Sequence, residues 1–193
     1  MTTRMGVWLA ICRNRVQSTY MTQQQPYDVV RVEDDFELRR YPQHVVAEVT
    51  VPGSFESAGS AGFRPLVSYI GGRNETNTGL AMTAPVIQQP TDDVHVVSFV
   101  LPDDVVGGDA PIPTDPSVRV RVVPEELAAV ARFSGRWSES AYANRVLKLS
   151  ESIRAAGLTV AGPARFARFD PPWTPWFMRR NEVVIPVSVP AGG

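Results

Sequence analysis

The chain has 193 residues, 44% of them hydrophobic and 20% charged, with a formal net charge of −1. That length and composition exclude disorder throughout and allow one domain with a real core, and the near-zero charge gives no reason to expect nucleic acid or an anionic membrane as the main partner. A single cysteine, Cys12, excludes an internal disulfide, and two histidines leave no cluster with zinc-ligand spacing, both in keeping with a reducing cytoplasm.

The N-terminus carries a short apolar run, residues 5–12, followed by Arg13 and Arg15. The run falls well short of the roughly 20 residues of a membrane span, and arginine stands where a secretory cleavage site needs small residues. Residues 1–25 therefore read as a disordered extension and residues 26–190 as a single domain. Val45, Ala47, Val49 and Val51 alternate with His44, Val46, Glu48 and Thr50, the period-2 pattern of a strand with one buried face. A first helix is predicted over residues 54–70, weakened by Gly59, Gly62 and Pro65. A polar glycine loop then delivers Met82, Thr83, Ala84 and Pro85 into a strand, with Met82 either a core side chain or a soft ligand contact. The second helix is clearer: Ser138 caps it, Gly157 follows it, and Tyr142, Val146, Leu149, Ile153 and Ala156 form one apolar stripe.

Landmarks recur at a constant offset. Arg39, Pro42, Ala47 and Gly53 reappear 82 residues on as Arg121, Pro124, Ala129 and Gly135. Ser57, Ala58, Leu66 and Ile70 reappear 83 residues on as Ser140, Ala141, Leu149 and Ile153. Pseudo-repeats over about residues 27–103 and 117–190 predict an α+β fold, a distorted antiparallel β-barrel from a duplicated β-α-β-β unit with its two helices packed outside.

Signatures of catalysis by a protein nucleophile, of phosphate-cradling loops and of zinc proteases are absent from the sequence, which points away from an enzyme. The stretch "ARFDPPWTPWFMRRNEVVIPV", residues 167–187, is stiffened by proline yet carries Trp173, Trp176, Phe177 and Met178, followed at once by Arg179 and Arg180. One expectation for this arm is that it plugs one end of the barrel, its tryptophans buried and its arginines paired with Glu182 or Asp170. His44 and His95 are the candidate metal ligands, ahead of Tyr41, Tyr69 and Met178.

"YDVVRVEDDFELRRYP", "YIGGRN" followed by "MTAPV", "SFVLP", "ARFSG" and "ARFDPPWTPWFMRRNEV", in that order from about Tyr27 to Val187, together resemble the SOUL-type haem-binding proteins. The resemblance implies a barrel of the kind the repeat predicts, and haem or another tetrapyrrole held without a covalent bond in a shallow apolar cleft beside the first helix, with no shared reaction. For such a flat apolar ligand with carboxylates at one edge it implies Phe63, Leu66 and Tyr69 as one wall and the arm from Trp173 to Met178 as the other, with Met82 nearby and Arg64, Arg179 and Arg180 available to the propionates. Some animal members have a histidine proposed to ligate iron where this chain has Arg40; others use basic groups on the first helix for the propionates, and here that helix offers Arg64, with Ser60 and Ser68. The function expected from the resemblance is that of a carrier or buffer in the cytoplasm, with small-molecule tetrapyrrole as partner and oligomeric state open. The alternatives are a haem-modifying enzyme and a sensor module for other flat aromatic molecules.

Overall fold

A computed structural model describes residues 23–189; the apolar run at residues 5–12 and Pro190 lie outside the described residues. In chain order the elements are β1 (Gln23–Gln24), β2 (Asp28–Val32), β3 (Glu37–Tyr41), β4 (His44–Pro52), α1 (Phe55–Ile70), β5 (Thr83–Ala84), β6 (Val86–Pro90) and β7 (Val94–Val100). They continue with β8 (Arg119–Val123), β9 (Glu126–Phe133), α2 (Glu139–Ala155), β10 (Thr159–Val160), β11 (Arg165–Arg168), a 3₁₀ turn (Trp176–Met178) and β12 (Asn181–Ser188). Gln23–Gln24, assigned to the extension from sequence, form a strand parallel to β5.

The main sheet runs β2-β3-β9-β12-β11-β6-β7-β4-β8, with β10 beside β12, and its neighbouring strands are antiparallel. It curls into an open half-barrel, with β2 and β8 at the two edges of this order. From β3 and from β8 inward the order has the same sense: a strand, the strand leading into a helix, and two more that meet at the β11–β6 pair.

Both helices begin where the sequence places them. Ser54 and Ser138 accept hydrogen bonds from Ser57 N and Ala141 N, each 3.3 Å, satisfying first-turn amides that have no partner within the helix. α1 is continuous across Pro65, and its glycines are sites of close approach. A Cβ on Gly62 would lie 2.6 Å from Val97 Cβ, so glycine lets the helix settle onto β7. Leu66, Tyr69 and Ile70 pack there against Val45, Ala47, Val49, Val97 and Phe99. α2 buries Tyr142, Leu149 and Ile153 against Ala129, Phe166, Val183 and Ile185. Each fully buried aliphatic side chain of this kind is worth about 1.5–3 kcal/mol, which is what holds helices to a sheet.

The opposite face of the sheet is partly ionic. Glu182, 1% exposed, accepts from Arg39 Nη1 at 2.8 Å and Arg180 Nη2 at 2.7 Å. Burial opposes charge on Arg39, but the hydrogen bond and charge of Glu182 outweigh it and hold its pKa above the usual arginine value. Burial also pushes the neighbouring Tyr41 hydroxyl up to about 12, against the opposing charge of Arg39.

Candidate functional site

Residues 169–180 connect β11 to β12 as a loop drawn together at its neck. Phe169 N donates to Arg180 O at 3.2 Å, and Arg180 N donates to the Asp170 carboxylate. Pro171, Pro172 and Pro175 restrict the backbone, and turns form through Thr174 N to Pro171 O, 3.0 Å, and Met178 N to Pro175 O, 2.9 Å. Arg179 folds back to donate to Thr174 O at 2.8 Å and Pro172 O at 2.6 Å, its guanidinium 4.2 Å from the centre of the Trp137 ring. Arg180 is taken up by Glu182, by Gln24 at 3.0 Å and by the face of Phe169 at 3.8 Å. The two arginines expected to wait for a ligand are thus engaged in holding the arm. Its apolar side chains are left in solvent: Trp173 is 83% exposed, Trp176 50%, Phe177 60% and Met178 66%. They do not plug the barrel.

Strand register fixes where the arm emerges. Phe133, Asn181, Arg168, Val86 and Phe99 pair in succession across β9, β12, β11, β6 and β7, forming one row across the sheet. Arg168 ends β11, Val86 begins β6 just after the Met82 loop, and Phe99 carries Phe63 edge-on, with ring centres 5.3 Å apart. The arm, the Met82 loop and the Phe63 flank of α1 therefore share one end of the sheet. Two strand spacings of about 4.8 Å separate Arg168 from Phe99 along this row, about 10 Å.

The predicted wall on α1 is corrected in part. Phe63 is 38% exposed, and Val67, one turn on and absent from the sequence prediction, is 37% exposed. Arg64 is exposed and forms no ion pair with a described residue. Leu66 and Tyr69 turn inward, fully buried against the sheet, and the Tyr69 hydroxyl donates to Pro111 O at 2.8 Å. Neither can touch a ligand on the surface. Met82 is exposed, so it is not the core methionine of the competing expectation.

Neither histidine is placed to ligate a metal at this surface. His44 lies on β4 with parity opposite to Val45, Ala47 and Val49, and so on the sheet face away from α1. Its Nδ1–H donates to Pro42 O at 2.9 Å, leaving Nε2 to accept from Gln25 Nε2 at 3.2 Å. Burial lowers its pKa, which keeps the ring neutral. It borders a cavity of about 20 Å³, room for one water. His95 is buried under α1 with its ring edge-on to Phe55, and Gln88 Nε2 lies 3.5 Å from its Nδ1. Among the described residues no group of three or more His, Cys, Asp or Glu side chains could hold a metal ion, and no helix is long and apolar enough to cross a membrane.

Sequence reasoning passed over Trp137 and Arg168. Trp137 donates to Asn181 Oδ1 at 2.7 Å and has Arg168 4.8 Å from its ring centre as well as Arg179. The signal for Arg168 was available in "ARFAR": alternation gives it the parity of Phe166, which faces α2.

The sequence signature described as SOUL heme-binding protein matches residues 22–186. Heme-binding protein 1 of Xenopus laevis is 27% identical over 155 residues, covering 77% of this chain and 81% of that protein. Heme-binding protein 1 of Mus musculus is 29% identical over 126 residues, covering 61% of this chain and 65% of that one. The C-terminal domain of EcmrR has a TM-score of 0.62 at 15% identity, covering 84% of this chain and 98% of that one. A hydrolase from Listeria innocua has a TM-score of 0.57 at 12% identity, covering 82% and 94%. At such identities the likeness to these two structures is one of fold. With its signature matched from residue 22 to residue 186, this chain belongs to the SOUL heme-binding protein family.

Proposed function

We propose that the protein binds haem or a related tetrapyrrole without a covalent bond, at the end of the sheet where the Phe63 flank of α1, the Met82 loop and the arm converge. It holds the ligand as a carrier or buffer. The observation that carries this reading is the exposure of Trp173, Trp176, Phe177, Met178 and Phe63 in a family of haem-binding proteins. Large apolar side chains kept in water on a loop whose own arginines brace it are matched to a partner with a flat apolar face. Arg64 and Arg136 are cations without ion-pair partners among the described residues, and Arg136 lies 5.7 Å from the centre of the Trp176 ring. They suit the propionates, whereas no histidine suits the iron. Binding then rests on apolar contact and charge, not on axial ligation by His44 or His95.

Titration with hemin at micromolar concentration is the test. The expected result is a saturable shift of the Soret band with quenching of tryptophan fluorescence, and His44→Ala and His95→Ala leave the band position unchanged. A wild-type protein that alters neither signal overturns the proposal.

A further inference from the structure

The seam between the two helices holds a buried cation with no carboxylate. Arg168 is 9% exposed and forms no ion pair with a described residue. Its Nη2 donates to Gln88 Oε1, while Nε is enclosed without a partner. Three rings face the guanidinium, Trp137 at 4.8 Å, Phe166 at 5.2 Å and Phe55 at 5.6 Å. Space for it exists because residue 59 is glycine: a Cβ there would lie 2.2 Å from Nη1. Ring faces and one amide oxygen are weak substitutes for the water and counter-ion that a charged group loses on burial. Accordingly burial, with a contribution from the charge of Arg179, lowers the pKa of Arg168 to about 10.

Negative charge is favoured at this place for a second reason. Glu56, in the first turn of α1, accepts from Glu139 N at the start of α2 at 3.1 Å, so the N-terminal ends of both helices converge here. Glu56 is exposed, and its charge acts on Arg168 without forming an ion pair.

We propose that Arg168 is the anchor for a carboxylate of the bound ligand, received between Gly59 of α1 and Trp137 and held by the guanidinium that the protein itself leaves without a counter-ion. This rests on the tetrapyrrole reading, in which the carboxylate is a propionate. Trp137 and Arg179 lead from Arg168 to the base of the arm, so a macrocycle lying against the arm directs its acidic edge toward this seam. Glu56 competes for the same positive field when the ligand is absent.

Hemin and its dimethyl ester, which lacks the carboxylates, separate this anchor from general apolar binding. Arg168→Gln is expected to weaken hemin about tenfold, the size of one hydrogen bond to a charged group, and to leave the ester unchanged. Gly59→Ala keeps the charge but displaces the guanidinium, and has the same effect; Glu56→Gln tightens hemin. Folded Arg168→Gln and Gly59→Ala proteins that bind hemin like wild type, or that lose hemin and ester equally, overturn the anchor. If wild type binds no hemin, the tetrapyrrole reading fails separately, and benzoate decides the anchor by thermal melting. A rise in Tm with benzoate in wild type that is lost in Arg168→Gln supports a carboxylate site, and the absence of that difference overturns it.

Discussion

Glu182→Gln lowers stability by about 3–5 kcal/mol, the usual cost of removing one partner from a buried ion pair. The charge lost is the acceptor of two guanidinium groups, and the side chain of Arg39 is itself only 4% exposed. Glutamine fills nearly the same volume, so the loss reports missing charge more than a cavity, and Glu37, 2.7 Å from Arg39 but 39% exposed, offsets only part of it. With typical domains stable by 5–15 kcal/mol, the variant sits close to unfolding in urea. Replacing both members of the inner pair, Arg39→Met with Glu182→Met, recovers most of the loss, because well-packed apolar residues commonly do as well as a buried pair. Arg180 keeps a route to solvent in that double variant, since its side chain is 19% exposed. Chemical denaturation of the two proteins measures both effects, and a loss below about 1 kcal/mol in Glu182→Gln contradicts this account of the sheet's ionic face.

The arm is expected to behave in the opposite way, with a large effect on binding and almost none on folding. Trp173→Ser, Trp176→Ser and Phe177→Ser together remove side chains that are 83%, 50% and 60% exposed, and exposed positions usually change stability by about 0.5 kcal/mol or less. Aromatic anchors at a binding surface are commonly worth more than about 1 kcal/mol each, so the triple variant loses about 3 kcal/mol of hemin affinity, roughly a hundredfold. The brace of the loop survives the change, because Arg179 and Asp170 act on backbone atoms. Parallel thermal melts and hemin titrations make the comparison. An unchanged affinity removes the arm from the site, and a collapse in Tm gives it a structural role instead.

The two helices were legible because their signals are local: a serine cap at each start, and apolar spacing that repeats with the helical turn. The arm was legible as an anomaly, large apolar residues within a proline-rich stretch. Which side chains of α1 face outward was misread. Phe63, Leu66 and Tyr69 are three residues apart, and each such step offsets the side chain by about 60° around the helix, so the row drifts by about 120°, from the margin of the buried stripe into it. Leu66 and Tyr69 fall on the stripe of Gly59, Gly62 and Ile70 that meets the sheet, and Phe63 stands at its margin. Of the two expectations for the arginines, free for a ligand or paired with Glu182 or Asp170, the second holds for Arg180. What occupies Arg179 is backbone within its own loop and a tryptophan far back in the chain, and what occupies Arg180 is Glu182 and Gln24, brought near by strands that pair at long range. Arg168 depends on Gln88, 80 residues away and brought near by the pairing of β6 with β11, and on Gly59, still farther back in the chain and brought near by the packing of α1 on the sheet.

The central claim is one of place: a flat apolar ligand at the end of the sheet shared by α1 and the arm. Mapping amide shifts in the isotope-labelled protein as diamagnetic protoporphyrin IX is added tests it most directly. The account predicts perturbations concentrated at residues 59–68, 80–86 and 169–181, with the indole signals of Trp173 and Trp176 among the largest. Perturbations centred instead on Tyr27, Tyr41 and His44, on the opposite face of the sheet, would contradict it.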